Sequence, residues 1–214
     1  MAVPPSHPRY TSLKTRDLIV EGVKKGITSQ HGLIAHGRGE AFDYIIGEKT
    51  TTKAKQQIKK AAVLLKAAKH PIISVNGNVA ALVPKEIVQL SKVIPAKLEV
   101  NIFHSSKTRE KLIAKHLKKH GAKEVLLPTK PLVKGIQHNR RFCNPEGIAK
   151  ADVVFVPLED GDRCQALKKM EKKIITVDLN PLSRTAKEAN ITIIDNITRT
   201  ISLLIKEIRS LKTK

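Results

Sequence analysis

Polar side chains follow three apolar runs of this sequence, and their types and spacing are suited to chemistry. The runs are residues 72–75, 153–156 and 174–177, and polar loops follow at 76–78, 157–163 and 178–185. In open α/β sheets, ligands bind in a crevice at the carboxyl ends of buried strands, where polar residues follow. We therefore expect the three loops to form one site.

The loop at 157–163 is acidic. It places Glu159, Asp160 and Asp162 next to Arg163. Such carboxylates can hold magnesium or accept a proton from an amine. They are equally typical of a helix start in which Asp160 or Asp162 is the N-cap. The sequence leaves both interpretations open.

The loop at 178–185 offers neutral donors and one cation, through Asn180, Ser183, Arg184 and Thr185. This set suits phosphate or ribose, and Asp178 can accept hydrogen bonds from ribose hydroxyls. The alternative is a plain turn at Asn180 and Pro181. The Gly-rich dinucleotide turn and the Walker loop are both missing, so a nucleotide must be held in another way.

Histidines and cysteines do not predict a metal centre. His31, His36 and His104 have no paired partner at zinc-ligand spacing, and Cys143 and Cys164 form neither a metal motif nor a disulfide framework. We expect free thiols and no bound metal ligand set. Two arginines are better candidates for binding phosphate: Arg38 lies beside Gly37 and Gly39, and Arg16 precedes them on a helix whose face can also be simply solvated.

Apolar periodicity predicts the elements that position these residues. The first part, 1–70, should contain an extended stretch at 4–8, a helix over 12–25, a Gly-rich functional loop over 31–44 and an amphipathic helix over 51–70. In the second part, 71–214, we expect strands at 72–75, 97–102, 124–127, 151–156, 173–177 and 191–194. Helices are expected at 84–93, 106–120, 163–171 and 198–211, and residues 128–145 form an irregular excursion and candidate lid.

Continuous apolar strands that alternate with helices favour a doubly wound, mostly parallel sheet. The predicted fold is a single Rossmann-like α/β domain over 1–214, with an N-terminal helical segment. With 41% hydrophobic and only 3% aromatic residues, the core must consist of aliphatic side chains.

Charge is the compositional outlier, at +21. It can reflect a polyanionic partner, a phosphate-bearing substrate or a lysine-rich solvated surface. The lysines are scattered and almost no aromatics lie between them, so we do not expect specific nucleic-acid binding. No apolar stretch reaches about 18 residues and no signal-peptide core is found, so we expect no membrane association and a cytoplasmic location.

At these residues the chain resembles the archaeal phosphopantothenate synthetases, also called 4-phosphopantoate:β-alanine ligases. The resemblance runs through residues 7–16, 31–44, 74–84, 99–104, 157–163, 178–185 and 195–196. Ser105, where a basic residue is expected, and Cys164 with Gln165, which replace Thr-Glu, depart from the pattern. The excursion matches poorly.

The resemblance implies a homodimeric enzyme of coenzyme A biosynthesis. It would join 4-phosphopantoate to β-alanine with ATP and Mg²⁺, and release AMP and diphosphate through an acyl-adenylate. The ATP contacts that it implies are Arg16, Arg38, Asp178, Leu179, Asn180, Arg184, Thr185, Asn196 and Ile197.

The position of the acyl-substrate pocket is our own inference from the residues, and we place it near His36, Asn76, Asn78 and His104. Arg38 and Arg184 suit charge neutralisation during attack on ATP. Glu159, Asp160 and His104 are the candidates that accept the amine proton. A non-catalytic nucleotide-sensing module and a basic nucleic-acid-binding protein are the alternatives.

Overall fold

The computed structural model describes residues 3–211 of the chain. The helices in this range are α1 (Tyr10–Lys24), α2 (Gln30–Ile45), α3 (Thr52–Ala67), α4 (Gly77–Leu82), α5 (Pro84–Val93), α6 (Lys107–Lys119), α7 (Gly161–Lys169), α8 (Arg184–Glu188) and α9 (Ile197–Ser210). The strands are β1 (Pro71–Val75), β2 (Lys97–Val100), β3 (Lys130–Pro131), β4 (Phe142–Cys143), β5 (Val153–Phe155), β6 (Lys173–Asp178) and β7 (Ile191–Ile194). Across residues 3–211, no helix combines the length and the apolar character that crossing a membrane requires.

The main sheet has five parallel strands in the order β2-β1-β5-β6-β7. Ile73 pairs with Leu98 on one side and with Phe155 on the other. The chain runs outward from β1 to β2, returns to β5 on the opposite side of β1, and continues outward to β7. The predicted α/β fold is confirmed, and the strand order reverses between β1 and β5, where such sheets open a crevice.

The strands bury both faces, as their continuous apolar runs require. Ile73 and Phe155 belong to the larger core cluster, which also contains residues of α3, α5 and α9. Ile72, Val154 and Ile174 belong to a second cluster, which contains residues of α7 and of the excursion. Alternate residues of one strand thus belong to different clusters, as the two-residue period of a strand dictates.

The Gly-rich loop predicted over 31–44 is wrong, because this segment is helix α2. Ser29 caps it by accepting a hydrogen bond from the Gly32 amide at 3.3 Å. A Cβ at Gly32 would lie 2.4 Å from the Asn78 Oδ1 atom. Glycine lowers helix propensity by about 1 kcal/mol, but here it permits a close approach that tertiary packing requires.

Three further local predictions are corrected. Residues 4–8 form turns, closed by the bond from the His7 amide to the Pro4 carbonyl at 3.0 Å, and are not extended. The strand predicted at 124–127 is reduced to one isolated bridge between Glu99 and Leu126. The short helices α4 and α8 were not predicted, because five or six residues carry too little periodicity.

The excursion over 128–145 is part of the core of the second face. Val133 and Ile136 are buried, and β3 pairs with β4 in a short antiparallel ladder. Cys143 and Cys164 are buried free thiols, as expected, and burial raises the pKa of both, that of Cys143 to about 11. The 3-10 turn Asn139–Arg141 and the preceding His138, which contacts Asp162 at 2.7 Å, lie near the carboxyl ends of the strands. The lid role stays a prediction.

Candidate active site

A two-lobed cleft lies at the carboxyl ends of β1, β5 and β6. The first lobe, of about 270 Å³, is lined by residues that follow β1 and β2 and by the start of α2. The second lobe, of about 470 Å³, lies between α2 and the loops that follow β5 and β6. Asn78, Leu158 and Asp160 line both lobes, so the two volumes meet there.

The second lobe collects most of the predicted nucleotide-binding residues. They are Arg38, Asp178, Leu179, Asn180, Arg184 and Thr185. Arg38 and Arg184 are exposed, and neither lies within 4 Å of a carboxylate among residues 3–211. This lobe therefore presents two unneutralised guanidinium groups to whatever enters it.

Hydrogen bonds within the β6–α8 loop fix its shape. The Asp178 carboxylate accepts from the Asn180 amide at 3.0 Å and from the Ser183 hydroxyl. Ser183 also caps α8 by accepting from the Ala186 amide at 2.9 Å. The turn at Asn180 is present too, closed by the Leu182 amide, so the turn and the binding surface predicted here coexist.

The β5–α7 loop is fastened to the β6–α8 loop. The Thr185 hydroxyl donates to the Glu159 carbonyl at 2.6 Å. A Cβ on Gly161 would lie 2.2 Å from the Arg184 Cβ, so only glycine permits the two helix starts to approach this closely. The acidic loop and Arg184 are thereby held next to each other in the wall of the same lobe.

Paired arginines neutralise the acidic loop. The two carboxylate oxygens of Glu159 contact Arg140 and Arg163 separately. Arg163 is fully buried and also donates to the Ser74 hydroxyl at 3.0 Å. Asp160 lies 2.7 Å from the Nε atom of Arg140. Of the three carboxylates, Glu159 is therefore saturated by guanidinium groups.

Asp160 has the surroundings of a proton acceptor. Burial raises its pKa, Arg140 opposes this, and the nearby Glu159 and Asp162 carboxylates add to it. Asp160 occupies the N-cap position of α7, but its side chain accepts no hydrogen bond there. The capping interpretation thus holds for its position and not for its side chain.

The first lobe contains His104, Asn76 and Asn78, with His31 stacked on His104 at 4.4 Å between ring centroids. The Asn76 amide donates to the Pro157 and Leu158 carbonyls and caps α4 through the Val79 amide. Asn78 donates to the Gly32 carbonyl at 2.9 Å and accepts from Thr28. Both asparagines use their amides to hold the lobe together.

His36 lines the second lobe rather than the first. Burial lowers its pKa, against the opposing charge of Glu40, which favours the neutral imidazole. Its Nε2 atom is buried and has no hydrogen-bond partner within residues 3–211. A neutral ring with an open nitrogen is suited to a hydrogen bond with a ligand.

Comparison with known proteins identifies the family to which this chain belongs. The sequence profile described as phosphopantothenate/pantothenate synthetase matches residues 53–214. The chain is 51% identical over 212 residues to the 4-phosphopantoate–β-alanine ligase of Thermococcus kodakarensis. The matched region covers 98% of this chain and 81% of the relative.

A ligase of the same name from Methanosarcina mazei is 50% identical over 210 residues, with 98% of this chain and 83% of the relative covered. The chain belongs to the phosphopantothenate/pantothenate synthetase family. The resemblance found in the sequence is confirmed.

Three predicted nucleotide contacts of this synthetase lie outside the cleft. Arg16, on α1, pairs with Glu40 of α2 at 2.7 Å. Asn196 caps α9 and donates to Asp43 at 2.9 Å, and Ile197 is buried in the core. Glu40 directly follows Gly39, which lines the second lobe, so Arg16 is near its rim.

Sequence reasoning missed two arginines that shape the synthetase cleft. Arg140 comes from the excursion, where no periodicity marks it, and Arg109 lies on α6 among many basic residues. It also missed Leu158, whose φ of 55° places a leucine in the left-handed region at the junction of the lobes. Strained residues cluster at functional sites, but backbone strain has no sequence signature here.

Proposed function

We propose that this synthetase is a 4-phosphopantoate–β-alanine ligase that forms AMP and diphosphate from ATP. The observation that carries the proposal is the cleft itself. Its second lobe has the cations Arg38 and Arg184, which pair with no carboxylate within residues 3–211, and it meets the smaller first lobe at Asn78, Leu158 and Asp160. Two anionic substrates that react with each other need such an arrangement. The names of the relatives support the choice of substrates.

ATP would occupy the second lobe. Arg38 and Arg184 would face the triphosphate, while Asp178 and Asn180 would contact the ribose. As the carboxylate of phosphopantoate attacks the α-phosphorus, the bond to diphosphate breaks. The two guanidinium groups would stabilise the charge that develops on the departing oxygens.

β-Alanine would then attack the acyl carbon, and AMP would leave. The attacking amine must lose a proton, and Asp160, Glu159 and His104 were the candidates. We favour Asp160, because both oxygens of Glu159 contact guanidinium groups and Asp160 lines both lobes with a raised pKa. A raised pKa makes a carboxylate a stronger base.

Magnesium would enter as part of the substrate, bound to the phosphate oxygens of ATP. Such oxygens are the hard ligands that this ion prefers, together with one or two carboxylates. Asp162 and Asp178, both half-buried, are carboxylates of the second lobe that such a complex would meet. Bound magnesium would supply further positive charge at the phosphates.

The test is an assay of AMP and diphosphate release with each substrate omitted in turn. We expect AMP only when ATP, phosphopantoate and β-alanine are all present. We also expect exchange of labelled diphosphate into ATP with phosphopantoate alone, because the acyl-adenylate forms first. ATP binding without AMP release would instead indicate the nucleotide-sensing alternative and overturn the proposal.

Asp160→Asn separates the two half-reactions. Loss of a general base slows its step about 10²- to 10⁴-fold. We therefore expect product formation to fall by that factor, while diphosphate exchange stays close to the wild-type rate. Asp17→Asn, an exposed carboxylate on α1, is the matched control. An equal fall in both rates, or no fall, would remove Asp160 from this role.

We also propose that the enzyme is a cytoplasmic homodimer. The exposed side of α2 supports the dimer: Ile34 and Ile45, about three turns apart on one face, are 73% and 77% exposed. Large apolar side chains grouped on one exposed helix face are typical of a protein interface.

A further inference from the structure

Arg109 lines the first lobe and has no carboxylate partner in the part of the chain that the structure describes. No Asp or Glu oxygen among residues 3–211 lies within 4 Å of its guanidinium group. Burial lowers its pKa, and the positive charge of Arg140 adds to this. A half-buried cation that no protein anion neutralises is a site for an external anion.

The guanidinium group is held in a defined place. Its Nε and Nη2 atoms donate to the Ile27 carbonyl at 3.4 and 3.3 Å, and Nη1 donates to the His104 carbonyl at 3.1 Å. A Cβ on Gly77 would lie 2.8 Å from Nη2, so glycine at this position leaves room for it. Arginine has five N–H donors, so these bonds leave one N–H on each terminal nitrogen.

Two imidazoles stand beside this cation. His31 and His104 are stacked and exposed to the first lobe, and neither contacts a carboxylate among the described residues. Apolar side chains, Ile102 and Phe103 among them, complete the wall. One end of the lobe is therefore cationic, and its walls can accommodate methyl groups.

We propose that Arg109, with His31 and His104, binds the phosphate of 4-phosphopantoate. The inference rests on the proposed function. It also fixes the orientation of the substrate, since phosphate and carboxylate are at opposite ends of this short molecule. With the phosphate at Arg109, the dimethyl carbon lies against the apolar wall and the carboxylate points toward the junction at Asp160. There it meets the α-phosphate of ATP.

The test compares phosphopantoate with pantoate, which lacks the phosphate, in wild-type protein, Arg109→Lys and Arg109→Gln. The quantity measured is the ratio of kcat/KM for the two acids. General damage to the fold lowers both values and leaves the ratio unchanged. Arg109→Gln removes the charge-assisted hydrogen bonds to the phosphate, so we expect the ratio to fall roughly 100-fold, which corresponds to about 2.8 kcal/mol.

Arg109→Lys keeps the charge but not the two-pronged geometry, so its ratio should be intermediate. Arg141→Met is the control, because it removes an exposed charge from the neighbouring excursion and should leave the ratio at the wild-type value. An unchanged ratio in Arg109→Gln, or a rise in KM confined to β-alanine, would overturn the proposal. Wild-type protein with no activity on either acid would instead refute the proposed ligase function.

Discussion

At the scale of single residues, the floor of the cleft depends on charges that need not touch a substrate. Glu159 is almost fully buried between Arg140 and Arg163, and Arg140 also holds Asp160. Removing one partner of a buried ion pair costs about 3–5 kcal/mol, because the other charge stays buried without compensation. These arginines therefore set the position of Asp160, although neither was a predicted site residue.

Glu99 is a fully buried carboxyl group next to this network, and it predicts a pH effect on stability. It accepts from the Asn144 amide at 2.8 Å and from the Ile148 amide at 2.7 Å. Burial raises its pKa to about 7, although both amides and Arg163 oppose the rise. Between pH 4.5 and 7 the folded state thus binds more protons at this residue than the unfolded state. The free energy of unfolding should fall as pH rises, by on the order of 3 kcal/mol.

Urea denaturation of wild-type protein and Glu99→Gln, at several values between pH 5 and pH 8, isolates this contribution. Gln does not titrate, and its loss of one hydrogen-bond acceptor changes the free energy of unfolding by the same amount at every pH. The stability of wild type relative to the variant should therefore decrease as pH rises. A difference that is constant with pH would mean that Glu99 does not titrate in this range.

At the scale of elements, periodicity predicted what packing against one core requires. Helix α5 over Pro84–Val93 and strand β7 over Ile191–Ile194 have the predicted bounds. Helix α2 was missed because its glycines lower helix propensity. Glycine is needed at position 32 because Asn78 approaches it closely, and such a long-range contact cannot be read from the local sequence. The strand-end loops were predicted to converge and do so. The partners of their charges, Arg109 and Arg140, come from segments with no local signal.

Helix α2 also predicts how the proposed dimer forms. A charge in place of an exposed apolar residue at an interface loses contact area and must be desolvated, which opposes association. We expect wild-type protein to run at twice the 23.7 kDa chain mass in light scattering and Ile45→Glu at the chain mass. Val63→Glu, which changes a 55% exposed valine on α3, is the control and should stay dimeric.

A monomeric wild type would contradict the dimer itself. A dimeric Ile45→Glu would place the interface elsewhere on the protein. The two outcomes are distinguishable because both variants are compared with wild type at the same protein concentration, which controls any association equilibrium.

At the scale of the whole molecule, the order of strands explains why one cleft can serve two substrates. The strand order reverses between β1 and β5, so the loops that follow these two parallel strands diverge and leave a gap. The first lobe lies over this gap, and the second lies over the neighbouring ends of β5 and β6. Neighbouring parallel strands thus place the two lobes side by side, which an adenylate-forming reaction needs.

The net charge of +21 belongs to this scale as well, because scattered lysines act together on an approaching anion. Both ATP and phosphopantoate are anions, and a positive field raises their encounter rate by up to about 10- to 10³-fold at low salt. The Debye length shortens from about 10 Å at 0.1 M salt to about 3 Å at 1 M. We therefore expect kcat/KM for phosphopantoate to fall as ionic strength rises over this range.

Pantoate and β-alanine provide the internal controls for this salt effect. Pantoate carries a single charge, so its kcat/KM should depend only weakly on salt. β-Alanine is a zwitterion without net charge, so its kcat/KM should hardly depend on salt. A decline of the same size for all three would indicate that salt perturbs the enzyme rather than the encounter. If kcat/KM for phosphopantoate does not change with ionic strength, the lysines do not steer the substrate and only solvate the surface, because salt would screen a steering field.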